Sequence, residues 1–253
     1  MAGASVFISH GAPSVALEQN EYTEALARFG RSLGRPTAVV AISAHWMSDP
    51  PGVTGAAWPE TLHDFSGFGR ELESLTYPCP GAPALAERVA ALAGAEVDGE
   101  RGLDHGVWVP LRHIFPEASV PVVQVALPAR GSAESLVILG RRLAPLRDEG
   151  IVILGTGGVV HNLGRLARDG TPPPDWARSF DVWVAERVRA LDLPSLMDYR
   201  RVATHAYLAA PTSEHLQPLL SVVGAALPGD RVDDIYQGFQ LGTLSLRSFA
   251  LRG

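Results

Sequence analysis

Lysine is absent from this sequence of 253 residues, and all 21 basic residues are arginine. That excludes Schiff-base chemistry through a lysine amine, including pyridoxal-phosphate attachment, and removes the lysine of a Walker A loop. Cysteine is almost absent too. The single Cys79 rules out an internal disulfide and suits a reducing cytoplasm. It sits in YPCPG without an activating neighbour, so inert packing is its expected role. No apolar run approaches the roughly 20 residues that span a bilayer. The longest, at 38–42, 151–154 and 122–127 (the last interrupted by Gln124), are strand-sized. Met1 leads into a strand-like segment with neither a basic nor an apolar leader region, so no secretory signal is expected. Several chemical signatures are also missing. There is no G-x-S-x-G elbow, no HExxH and no paired CxxC, and Val160 spoils the dinucleotide fingerprint begun at Gly155 and Gly157. A net charge of -6 without any basic run argues against nucleic acid or an anionic membrane as partner.

What remains is the composition of a globular metabolic enzyme, 46% hydrophobic and 19% charged. Strand and helix signals alternate along it. Strands are predicted at 5–9 (SVFIS), 37–43 (TAVVAIS), 120–127 and 151–155 (IVILG), with 243–249 closing the sheet. Helices are predicted at 21–33, 83–92, 107–115, 135–147 and 175–191, with another opening at Pro211 and Thr212. Apolar residues fill both faces of the central strands, as in a parallel sheet covered on both sides. The fold class predicted is α/β: a single three-layer domain over 1–253 with a mainly parallel central sheet and helices on both faces. In such sheets ligands gather beyond the carboxyl ends of the strands.

Three of the eight histidines fall at those ends. His10 follows SVFIS in ISHGAP, His45 follows TAVVAIS in ISAHW, and His161 follows IVILG in GTGGVVHNL. His105 (LDHGVW) and His215 (TSEHL) stand where they could reach the same edge. Converging neutral imidazoles are what a borderline divalent cation such as Fe(II) or Zn(II) requires. A lone histidine at a strand end is more often a hydrogen-bonded rim residue, so it is their equivalence that carries the metal reading. His113 is expected to be structural and His205 to lie at the surface. His63, in the aromatic loop HDFSGF, is either a substrate lid or a well-packed turn. Trp46, His63 and Phe65, with Phe68 and Trp108, are candidate walls of a flat ring pocket, although core packing would use them equally.

Taken in order, FISHGAPS, AISAHW, HDFSGF, YPCPG, LDHGVWVPL, PVVQVAL, GTGGVVHNL and PTSEHLQPLL resemble the class III extradiol ring-cleavage dioxygenases of the LigB superfamily. The likeness is to the DOPA dioxygenase-like branch and runs from Phe7 to about Leu220. It implies one non-haem metal per chain, with Fe(II) for turnover and Zn(II) as another occupant. His10, His45 and His215 would be ligands, with His161 bordering or completing the sphere. His105 and His161 would carry protons. The implied reaction joins a small aromatic diol and O₂, opening the ring to a muconic semialdehyde. Two other readings use the same residues: a zinc hydrolase activating water, and a metal-free binding module of the same fold. No segment specifies an oligomeric state.

Relatives of the protocatechuate type complete the site with a glutamate, which makes the pair Glu214 and His215 a choice. If a helix starts at 211–213, these neighbours project about 100° apart and cannot both face one ion. Glutamate is favoured at a helix start by the dipole alone, whereas histidine is not unless it is kept neutral. His215 is therefore the expected ligand.

Overall fold

A computed structural model describes residues 3–253, so the expectation about the segment at Met1 lies outside the described residues. The strands are β1 (Ser5–Ser9), β2 (Ala38–Ser48), β3 (Gly52–Thr54), β4 (Glu96–Asp98), β5 (Val122–Pro128), β6 (Ile151–Gly157), β7 (Arg231–Tyr236), β8 (Phe239–Gln240), β9 (Leu244–Ser245) and β10 (Ser248–Arg252). The helices are α1 (Glu21–Leu33), α2 (Arg70–Glu73), α3 (Pro83–Ala93), α4 (His105–Ile114), α5 (Ala133–Leu143), α6 (Asp175–Arg189), α7 (Leu193–Met197), α8 (Tyr199–Val202), α9 (Ala206–Ala209) and α10 (Gln217–Gly224).

Eight strands form one sheet in the order β4-β3-β5-β2-β6-β1-β10-β7. The four at its centre, β5, β2, β6 and β1, run parallel. Beyond β1 the strands β10 and β7 add antiparallel, and β3 lies antiparallel to β5. Alternate residues of each central strand feed two separate cores. Phe7, Val40, Ile42 and Ile153 join residues of α3, α5, α6 and α10 on one face. Val6, Ile8, Val39, Ala41, Val152 and Leu154 meet α1 and α4 on the other. The predicted three-layer α/β architecture with a mainly parallel sheet is the one observed.

Several boundaries differ, each for a local reason. β2 does not stop at Ser43 but continues to Ser48, so His45 lies within the strand; its pairing with β5 shifts between Ile42 and Met47. Such bulges re-aim side chains beside functional sites. The helix expected at 135–147 ends at Leu143, because Pro145 lacks the N–H that the next turn would need, and a 3-10 segment (Ala144–Glu149) finishes it. The helix expected from Pro211 begins only at Gln217, leaving Glu214 and His215 in the turn before it. Within 243–249, only the end of the segment joins the main sheet, as the start of β10, while β8 and β9 form a separate hairpin. The edge strand β7 (RVDDIY) has no alternating apolar pattern and was not predicted.

The turn carrying His215 is pinned by contact with β6. The Gly158 N–H donates to the His215 carbonyl at 2.8 Å, and the His10 N–H donates to the Gly157 carbonyl at 3.0 Å. A Cβ on Gly157 would lie 2.0 Å from the His215 carbonyl oxygen. We expect Gly157→Ala to force this turn off the strand at a cost of about 1–3 kcal/mol, the range for overpacking. Urea denaturation checks the loss, and a displaced His215 resonance shows where it falls.

Candidate metal centre

The histidine-bearing ends of β1 and β2 place His10 and His45 side by side, with their Nε2 atoms 3.2 Å apart. Two ligand nitrogens about 2.0–2.1 Å from one ion would be separated by a similar distance, about 3.3 Å at a tetrahedral angle. His105, the first residue of α4, flanks them, its ring centroid 4.0 Å from that of His45 and 5.5 Å from that of His10. One ring nitrogen from each of His10, His45 and His105 falls within a common 4.8 Å. His215 closes the opposite side, 5.5 Å from His10 and 5.0 Å from His45 between centroids. His161 stands behind it, stacked flat on His215 at 3.5 Å and 7°. Of the predicted cluster, His161 is thus the outermost.

The partners of the other ring nitrogens give this group its direction. His10 Nδ1 donates to the Gly11 carbonyl at 2.9 Å. His105 Nδ1 donates to Asp64 at 2.8 Å, and His215 Nδ1 to Glu214 at 3.1 Å. With Nδ1 protonated and engaged, Nε2 is left with a lone pair. The Nε2 of His215 is buried and lacks a partner among the described residues. A buried acceptor left empty is costly, and a cation at this point would satisfy it. An imidazole donor set with its outer nitrogens tied to oxygen fits a borderline divalent cation. The helix argument for choosing between Glu214 and His215 does not apply, because of where the pair lies. The pair sits in a turn rather than a first helical turn, and the carboxylate lies beside His215, also accepting from Thr212 Oγ1 at 2.7 Å.

Burial and mutual repulsion disfavour protonation of three of these rings. Burial, followed by the neighbouring imidazoles, holds His10 well below its ordinary value. The same causes hold His45 at about 2 and His161 at about 3. For Asp64 burial works upward, but the side-chain and backbone hydrogen bonds from His105 outweigh it and hold the carboxyl at about 2. The hydrogen bond from His215 holds Glu214 at about 2. Beneath these, the fully buried Asp104 accepts from Ser43 Oγ at 2.7 Å and from Gln124 Nε2, tying the start of α4 to β2 and β5. Burial pushes Asp104 up.

The other predicted residues divide. Phe65 meets the His105 ring edge-on at 5.5 Å, with Phe68 at 5.6 Å from it, so this loop lines the centre. His63 packs on Phe65 and Trp108 and donates from Nε2 to the Leu75 carbonyl at 2.9 Å, an anchor for the loop. Trp46 turns away from the side of His45; its ring lies against Gly52 and 4.5 Å under the Arg101 guanidinium. The structure does not bring it to the histidines. His113 donates to the Val15 carbonyl, and His205 is exposed. Cys79 is buried, and burial pushes its thiol up to about 12. Sequence reasoning missed Asp64 and the Ser43–Asp104–Gln124 network. Both lie inside quoted motifs, but polar residues in a loop have no periodicity to betray them.

Histidines gathered at the carboxyl edge of a mainly parallel sheet suit a metal-dependent hydrolase or a non-haem oxygenase, and the chain's relatives separate the two. Residues 5–241 match the family described as the catalytic LigB subunit of aromatic ring-opening dioxygenase. The chain belongs to that family: it is an extradiol aromatic ring-opening dioxygenase, metal-dependent, acting on an aromatic substrate with O₂. It is 38% identical to the 4,5-DOPA dioxygenase extradiol of Escherichia coli (strain K12), over 96% of this chain and 93% of that one. Identity to the 4,5-DOPA dioxygenase extradiol of Beta vulgaris is 35%, covering 96% and 94%. A crystal structure of an uncharacterized protein from Escherichia coli K12 superposes with a TM-score of 0.83 at 34% identity, over 98% of both chains. No helix among the described residues is long and apolar enough to cross a membrane.

The depressed histidines imply a pH dependence. Below about pH 6.5 the unfolded chain takes up protons on these imidazoles, whereas the folded chain does not until near pH 3 or below. Stability of the metal-free protein is therefore expected to fall as pH drops below 6.5, each such group contributing up to about 1.4 kcal/mol per pH unit. Urea titrations from pH 7.5 to 5 check this, and a flat profile across that window would contradict it.

Proposed function

We propose that the protein opens the ring of a catechol, DOPA or a related diol, beside its two hydroxyls, incorporating both atoms of O₂ to give a muconic semialdehyde. The observation that carries this reading is the gathering of imidazoles at one sheet edge, with a ring nitrogen each of His10, His45 and His105 within 4.8 Å of one another and the Nδ1 atoms of His10, His105 and His215 bonded to oxygen. The similarity to two proteins known as 4,5-DOPA dioxygenase extradiol supports the substrate class. His10, His45 and His215 hold the ion, Fe(II) for turnover, with Zn(II) able to occupy the same nitrogens. His161, stacked behind His215, borders the sphere. A bound ferrous ion would supply the one-electron chemistry that lets a closed-shell aromatic react with O₂.

The remaining work falls to the chain. Uncharged ligands leave the full charge of the cation to favour a deprotonated diol over water. Its proton goes to His105 Nε2, which is free because Nδ1 is bonded to Asp64. Phe65, edge-on to that ring, offers an apolar wall against which a flat substrate can lie. His63 anchors the loop behind it, so its part is indirect. His161 shares the later proton transfers. The whole of 1–253 acts as one catalytic domain, and the lone buried thiol suits a cytoplasmic setting.

Alanine variants should separate these roles. His10→Ala and His45→Ala are expected to abolish metal binding with the fold intact. His215→Ala should weaken it strongly, and Glu214→Ala by only about 10–100-fold, the usual effect of removing a ligand's partner. Chelator competition reads all four; a stronger loss from Glu214→Ala would make the carboxylate the ligand. His105→Ala should keep the metal and lose turnover by about 10²–10⁴-fold. Oxygen uptake across a small catechol panel tests that figure together with the substrate class.

A further inference from the structure

Asp64 belongs to no apolar core, yet it makes two bonds to one residue. Its Oδ1 accepts the His105 backbone N–H at 3.0 Å and the His105 Nδ1–H at 2.8 Å. The first satisfies one of the free N–H groups at the start of α4. The second acts on the ring itself. A neutral imidazole has two tautomers, and a carboxylate, which only accepts, selects the one protonated on Nδ1. Phe65, the next residue, stands edge-on to the same ring at 5.5 Å. One short loop therefore sets both the protonated nitrogen of His105 and the tilt of its ring. The other oxygen, Oδ2, lies 3.9 Å from His45 Nδ1, beyond hydrogen-bonding distance.

We propose that Asp64 is a positioning residue for ring opening: its carboxylate holds His105 in the Nδ1–H tautomer, so that Nε2 is the atom that accepts the diol proton. The proposal rests on the proton-carrying role given to His105 above. Because both bonds converge on one oxygen, the function lies in the acceptor and its place rather than in the negative charge. An asparagine with its amide oxygen in that place reproduces both bonds.

The test begins on the metal-free protein labelled with ¹⁵N-histidine, where long-range ¹⁵N–¹H NMR reports the tautomer of each ring. The wild type and Asp64→Asn should show His105 protonated on Nδ1, and Asp64→Ala a mixture with the Nε2–H form. Chelator competition should give metal affinities within about threefold of wild type for both variants, since under the proposed function His105, the ring bonded to Asp64, is not a ligand. In the iron-loaded enzyme, kcat should fall about 10–100-fold in Asp64→Ala with a smaller change in KM, and recover most of that loss in Asp64→Asn. Should Asp64→Ala fail to fold, Asp64→Leu, of similar size and without an acceptor, carries the same expectation. An unchanged tautomer in the alanine or leucine variant overturns the proposal. So does an asparagine variant as slow as alanine, which would make charge the operative feature, and so does loss of metal with the tautomer intact, which would assign Asp64 to His45. Normal turnover in His105→Ala would instead overturn the acid–base role of His105, a failure that the tautomer readout keeps separate.

Discussion

Five imidazoles crowd the carboxyl edge of four parallel strands, and burial with mutual repulsion holds three of them, His10, His45 and His161, uncharged. A second positive charge among buried rings at centroid separations of 3.5 to 5.5 Å would meet repulsion that little water is present to screen. The surrounding structure serves this constraint. Burial disfavours protonation, and fixed oxygens take up the Nδ1–H groups of His10, His105 and His215. The carboxylates Asp64 and Glu214 stand one layer out, bonded to rings instead of facing the centre. Negative charge is thus near enough to orient the imidazoles, and a cation meets nitrogen first.

This division bears on the chemistry proposed. A donor set that included a carboxylate would cancel part of the charge of the cation before substrate arrived. An all-imidazole set leaves that charge to be neutralised by a diol that has shed its protons, which makes proton removal the decisive task of the chain. The nitrogen suited to it, His105 Nε2, is aimed by a helix start tied to β2 and β5 through Asp104, Ser43 and Gln124.

Much of this was legible in the amino-acid order, for identifiable reasons. β1, β2 and β6 are each built on a short apolar run because both their faces are covered, and a histidine in or just beyond each had one edge to occupy. Other features left no such trace. The bulge that carries β2 past Ser43 depends on pairing with β5, a contact 80 residues away in sequence, so His45 seemed to follow the strand when it lies in it. Strand alternation then sends Trp46 to Gly52 and Arg101, which an aromatic in a motif does not reveal. The late start of α10 at Gln217 follows from Gly158 holding the His215 carbonyl, a tertiary bond that outweighs the helix-start chemistry of Pro211 and Thr212. β7 is half-exposed and charged, and only its ladder with β10 makes it a strand.

The antiparallel addition of β10 and β7 has an effect on motion. Without it β1 would be an edge; with it, β1, β2 and β6 each have hydrogen-bonded neighbours on both sides. Backbone at a sheet margin opens locally at little cost, whereas an interior ladder opens only when most of the molecule does. His10 follows directly on one of these interior ladders and His45 sits in the irregular stretch of another, while Asp64 and Phe65 lie on a loop. Under the proposed roles the nitrogens that hold the ion rest on the sheet and the carboxylate that orients His105 comes from a separate loop, so a change in that loop need not displace the nitrogens beneath it.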